Sequence, residues 1–120
     1  MKTILVADDE KHIRELVELT LRHNNYEVLS AADGESALEL ATRERPALAL
    51  LDIRMPKMDG YEVCRQIKSD PAISYMPIVF ISAKAQQDEI QMGYEAGAQD
   101  YLLKPFDMED LLLSVERLLA

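Results

Sequence analysis

Apolar runs of four or five residues alternate along the chain with stretches whose apolar positions recur at helical spacing, and this alternation predicts five repeated β-α units. Residues 4–7 (Ile4, Leu5, Val6, Ala7) show no polar alternation, as in a strand whose sheet is covered by helices on both faces. From 11 to 22, Ile13, Leu16, Val17, Thr20 and Leu21 form one stripe of an amphipathic helix, which Asn24 and Asn25 end. A short strand over 27–30 follows, then Asp33 as the N-cap of a helix through Ala37, Leu38, Leu40 and Ala41, closed by Pro46. The most hydrophobic run, 47–51, stops at Asp52. Beyond it, residues 55–60 are a solvated loop of turn formers, and Asp59-Gly60 opens a helix carrying Tyr61, Val63, Cys64 and Ile67. A fourth strand over 77–81 ends at Ser82. The helix after it has a thin stripe of Ile90, Met92 and Tyr94 and is expected to be the most mobile or most partner-dependent of the five. Residues 101–103 form the fifth strand, followed by Lys104-Pro105 and a helix with Leu111, Leu112, Val115, Leu118 and Leu119.

Four of the five strands end on polar residues of chemical interest: Asp8 and Asp9, Asp52, Ser82 and Lys104. If the strands are parallel, these residues meet on the carboxyl edge of one sheet, where open α/β sheets bind ligands. Three aspartates so close together raise one another's pKa values unless a cation sits among them. All candidate ligands are hard oxygens with no His or Cys nearby, so Mg²⁺ or Mn²⁺ is favoured over zinc or copper. Lys104 and Ser82 can both hold phosphoryl oxygens, which makes phosphoryl transfer the fitting chemistry, with Asp52 as nucleophile.

Composition narrows the setting. The 120 residues suit one domain over 1–120, and the net charge of −9 argues against nucleic acid as a direct partner. No stretch approaches a membrane span and no signal peptide precedes Asp8, so a cytoplasmic place is expected. One cysteine excludes an internal disulfide, and Cys64 reads as a small buried hydrophobe. His12 and His23 read as surface residues.

The order of these elements resembles the receiver domains of two-component response regulators across the whole chain. Asp8-Asp9 is similar to that family's acidic pair, Asp52 to its phospho-acceptor, Ser82 to its switch hydroxyl, Tyr101 to its switch aromatic and Lys104-Pro105-Phe106 to its Lys-Pro motif; Met55-Pro56 and Asp59-Gly60 match the loop after the acceptor. The resemblance implies a flavodoxin-like, doubly wound, five-stranded parallel sheet in order 2-1-3-4-5 with five helices, and a cis Lys104–Pro105 peptide. It implies a metal held by Asp9, Asp52 and the Arg54 backbone carbonyl, with Asp8 acting mainly through water. It implies phosphorylation of Asp52 by a sensor histidine kinase, a phosphotransfer protein or a small phosphodonor, and a population shift on the surface of the fourth helix, fifth strand and fifth helix that controls a protein partner or a C-terminal output domain. Catalysis is then limited to the chain's own phosphorylation and dephosphorylation.

Plainer readings stand beside these. Asp8-Asp9 alone is an ordinary helix cap pair, Ser82 alone a turn residue, and Tyr101 a core aromatic. Arg54 and Lys84 are placed to lean over the phosphoryl site, and the small Ala83 to leave an access path. A scaffold that is never phosphorylated and a metal-dependent aspartyl phosphatase are the alternatives; the chain has no room for the phosphatase's cap. Glu95, Asp100 and Asp110 fit the charged dimer face of receivers linked to winged-helix domains. Ile90, Gln99 and Ser114 stand where charged partners are expected, which favours a single-domain regulator or another output class.

Overall fold

Each apolar run becomes a strand and each periodic stretch a helix. The computed structural model describes residues 1–83 and 86–120. Its elements are β1 (Thr3–Ala7), α1 (Lys11–His23), β2 (Glu27–Ala31), α2 (Gly34–Glu44), β3 (Leu48–Asp52), α3 (Gly60–Ser69), β4 (Ile78–Ser82), α4 (Gln87–Glu95), β5 (Asp100–Leu103) and α5 (Met108–Leu119). Among the described residues the five strands make one parallel sheet in the order β2-β1-β3-β4-β5, the doubly wound architecture expected.

Side chains alternate across the sheet and divide the core in two. Ile4, Val6, Leu48, Leu50 and Val79 face α1 and α5, packing on Val17, Leu21, Leu111 and Val115. Leu5, Ala7, Ala49, Leu51 and Phe80 face the other way, onto Ala37 and Ala41 of α2 and Val63, Cys64 and Ile67 of α3. All of these are fully buried, each larger aliphatic one contributing about 1.5–3 kcal/mol. Sheet pairing runs one residue further than the apolar runs do, Asp52 opposite Ile81 and Ser82 opposite Leu103. The two polar side chains are therefore held by strand backbone, not by loop.

Helix starts follow the predicted caps. Asp33 accepts from the Ser36 amide at 2.7 Å and Asp59 from the Glu62 amide at 2.9 Å, contacts that stabilise a helix by about 1 kcal/mol each. The Asp33 cap also steadies the loop after Asp52, because Gly34 donates to the Pro56 carbonyl at 3.3 Å. A Cβ on Gly34 would overlap the Met58 carbonyl oxygen. Gly34→Ala is accordingly expected to lower stability by about 1–3 kcal/mol, read as a shifted urea midpoint; an unchanged midpoint would show that the loop yields freely.

The thin stripe of α4 has a geometric explanation. Met92 and Tyr94 are exposed and Ile90 half-buried, and the one buried residue of the helix is Gly93. A Cβ there would stand 3.0 Å from the Phe80 ring and 3.2 Å from the Tyr101 ring. This helix thus approaches the sheet through a glycine, leaving most of its apolar side chains outward.

Candidate functional site

Asp52 ends β3 with a side chain 7 % exposed. One carboxylate oxygen accepts from the Ile53 amide at 2.8 Å, and the other lies 3.3 Å from the Lys104 ammonium. Burial and then the neighbouring Asp8 charge push its pKa up to about 6, against the pull of Lys104.

Asp8 is fully buried after β1. It does not cap α1; its carboxylate accepts from the Glu10 amide at 2.9 Å, and Arg14 donates to its carbonyl at 2.8 Å. The side chain thus stays turned to Lys104, at 3.0 Å. Lys104 in turn is fixed by its amide, which donates to the Ser82 carbonyl at 2.8 Å, and the peptide to Pro105 is cis as the resemblance implied. Burial alone would lower the Lys104 pKa. The hydrogen bond to Asp8, the charges of Asp52 and Asp8 and the bond to Glu10 outweigh it and hold the ammonium above the ordinary lysine range.

Glu10 is the residue that sequence reasoning missed. Its carboxylate lies 3.1 Å from the Lys104 ammonium, 94 residues away in the chain. Asp8, Glu10 and Asp52 each offer an oxygen within 4.8 Å of the others'. Asp9 stands outside that group, exposed beside it. Among the described residues the cluster sets one ammonium against three carboxylates, an excess of negative charge. An all-oxygen donor set with that surplus suits a hard divalent cation such as Mg²⁺ or Mn²⁺.

The group opens on a cleft of about 430 Å³ lined by Asp9, Glu10, Asp52, Arg54, Ser82, Ala83 and Lys104. Asp9 and Arg54, two of the expected ligand-bearing residues, are therefore at its mouth, and Ser82 is 2 % exposed in its wall. Tyr101 does not line the cleft. Its ring is half-buried against Phe80, 6.1 Å between centroids, and burial raises its pKa while the Ser82 hydroxyl opposes the rise. Lys84 lies outside the described residues.

The remaining candidates have plain roles. His12 and His23 are exposed. Cys64 is fully buried, its thiol donating to the Ala96 carbonyl at 3.4 Å, and burial pushes its pKa up to about 11. Its reaction with a disulfide reagent is expected to be at least about 100-fold slower in the folded protein than in urea; equal rates would contradict the burial. Asp100, which fits the charged dimer face of winged-helix receivers, is engaged within its own chain by Ser114 at 2.6 Å and Arg117 at 2.8 Å.

With this geometry in place, a family model described as the response regulator receiver domain matches residues 4–116. The chain belongs to that family. This receiver is 40% identical over 118 residues to the alkaline phosphatase synthesis transcriptional regulatory protein PhoP of Bacillus subtilis, covering 98% of this chain and 48% of that protein. It thus spans about half the length of the curated relatives it matches. The crystal structure of a putative response regulator from Chloroflexus aurantiacus superposes with a TM-score of 0.93 at 36% identity, over 98% of this receiver and 97% of that chain. The receiver domain of the sensor histidine kinase PA1611 from Pseudomonas aeruginosa superposes with a TM-score of 0.91 at 33% identity, over 98% of this chain and 97% of its own. That structure carries a magnesium ion coordinated in its active site cleft.

Proposed function

We propose that this receiver accepts a phosphoryl group on Asp52 from a sensor histidine kinase or phosphotransfer protein, in a reaction that needs Mg²⁺ or Mn²⁺, and that phosphorylation shifts the α4-β5-α5 surface toward a form recognised by a partner or output domain. The observation that carries this reading is the clustering of a buried nucleophilic carboxylate, two further acidic side chains and one ammonium around an open cleft. Asp8, Glu10 and Asp52 offer the oxygens that would hold the cation, with Asp9 and Arg54 lining the same cleft. A bound divalent ion would supply positive charge to the carboxylates and to the incoming phosphoryl oxygens.

Asp52 attacks through a carboxylate oxygen. The oxygen–phosphorus bond forms as the donor's phosphorus–nitrogen bond breaks, and the imidazole keeps that electron pair and takes up a proton. Lys104 neutralises charge on the transferred group, and the Ser82 hydroxyl, 2 % exposed in the cleft wall, donates to one of its oxygens. Water attack at phosphorus later returns Asp52 and releases phosphate. The added charge of about −1.5 to −2 at the end of β3 is the signal that Ser82 and Tyr101 respond to.

No helix among the described residues is long and apolar enough to cross a membrane, in keeping with a cytoplasmic regulator. The name of PhoP, a transcriptional regulatory protein, makes control of transcription through a further domain the leading output. The test is intact mass after incubation with Mg²⁺ and acetyl phosphate. Wild type is expected to gain one phosphoryl group, Asp52→Ala none, and removal of Mg²⁺ to abolish the gain; no adduct on wild type would favour a scaffold that is not phosphorylated.

A further inference from the structure

Tyr61 is the second residue of α3 and belongs to neither the acidic cluster nor the cleft wall. Its position is nevertheless tied to Asp52. The amide of the preceding Gly60 donates to the Ile53 carbonyl at 2.8 Å, and a Cβ on Gly60 would lie 2.9 Å from the Ile53 Cα. The start of α3 therefore rides directly on the backbone that follows the acceptor.

From this fixed base the Tyr61 ring runs inward, 6 % exposed, and meets Phe80 edge-on at 5.5 Å and 66°. Phenylalanine would fill that space equally well. What the hydroxyl adds is a bond of 2.9 Å to the Glu89 carbonyl, in the first turn of α4 and 28 residues away. Phe80 packs on the Tyr101 ring as well, 6.1 Å between centroids, and the ionisation of Tyr101 responds to the hydroxyls of both Ser82 and Tyr61. Tyr61, Phe80 and Tyr101 thus form one ring cluster under α4, bonded to its first turn by the Tyr61 hydroxyl and touched by Gly93 at Phe80 and Tyr101.

We infer that Tyr61 is a positioning residue whose hydroxyl ties the first turn of α4 to the Ser82–Tyr101 pair, so that α4 reads the acceptor through α3 as well as through β5. Whatever favours one arrangement of Tyr101 and α4 must, by linkage, favour the phosphoryl group that selects it. The inference rests on Asp52 being the acceptor.

The test uses beryllofluoride with Mg²⁺ as phosphoryl mimic, with affinity read from the amide resonances of α4. Tyr61→Phe is expected to weaken binding about three- to ten-fold, the scale of one hydrogen bond. In a Tyr101→Phe background the same change is expected to cost less than about two-fold, because the Tyr101 hydroxyl through which Ser82 is sensed is already gone. Unfolding midpoints verify that each variant is folded, and Tyr61→Met serves if the phenylalanine variant is not. Unchanged affinity in folded Tyr61→Phe overturns the inference, and so does an equal loss in both backgrounds, which marks a purely structural hydroxyl. A wild type that takes no beryllofluoride overturns the acceptor reading itself, and this inference with it.

Discussion

Replacing Asp52 by asparagine is expected to make the metal-free receiver more stable by about 2–3 kcal/mol near neutral pH, while abolishing phosphoryl uptake. In the unfolded chain the carboxyl ionises around its ordinary value of 3.8, whereas in the fold burial and Asp8 keep it protonated up to about 6. Between those values the native state binds more protons than the unfolded one, so stability falls as pH rises through that window and the penalty is constant above it. Asparagine keeps the shape and the acceptor for the Ile53 amide without the charge. The stability gap between variant and wild type should therefore close as pH falls below about 4, and narrow when Mg²⁺ is added, since a cation that binds only the folded wild type stabilises it by mass action. Urea unfolding across pH reads both effects. A variant less stable than wild type, or a gap independent of pH, would show that Asp52 is already neutralised in the resting protein.

A buried carboxylate expected to weaken its own fold is also what made the site legible in the chain. Asp8, Asp52, Ser82 and Lys104 interrupt apolar runs that would otherwise continue. A strand period of two and a parallel sheet then suffice to bring them to one edge, as the pairings of Asp52 with Ile81 and Ser82 with Leu103 bear out. The order of the sheet and the cis peptide came from the family resemblance instead. Glu10 escaped because nothing local marks it: it is the N-cap residue of α1, makes no side-chain cap bond, and gains its role only when folding brings Lys104 within 3.1 Å. Tyr61 escaped for a related reason, since a tyrosine on the apolar stripe of α3 fits the core pattern whether or not its hydroxyl finds a carbonyl. The outward turn of Met92 and Tyr94 was hidden too, because a glycine contact leaves no hydrophobic signature. Nothing in the sequence marks Lys68, yet it donates to the Ser74 carbonyl at 3.1 Å and the Met76 carbonyl at 2.6 Å, bracing the loop before β4.

Lys104→Met is expected to be the most destabilising change in the site, costing about 3–5 kcal/mol near neutral pH without metal, the usual consequence of removing one partner from a buried ion pair. Methionine fills the aliphatic space, so the loss measures charge: Asp8, fully buried, and Asp52, 7 % exposed, would face each other and Glu10 without the Lys104 ammonium. The lysine itself titrates far from this range. With its folded pKa raised, its contribution is complete below the ordinary value of 10.5, declines as pH rises from there through the folded one, and is gone beyond it. Any pH dependence of the loss near neutrality must then come from the carboxylates. Asp52 in the variant should hold its proton to higher pH than the wild-type value of about 6, so the defect shrinks on acidification. Adding Asp52→Asn to Lys104→Met should recover much of the stability, a coupling that a double-mutant cycle quantifies. The acceptor survives in Lys104→Met, but phosphoryl uptake from acetyl phosphate should slow on the order of 100-fold as the countercharge to the transferred group is lost. Additive effects of the two substitutions would mean that Lys104 acts on Asp8 and Glu10 alone, and that Asp52 is held by its burial and not by the ammonium beside it.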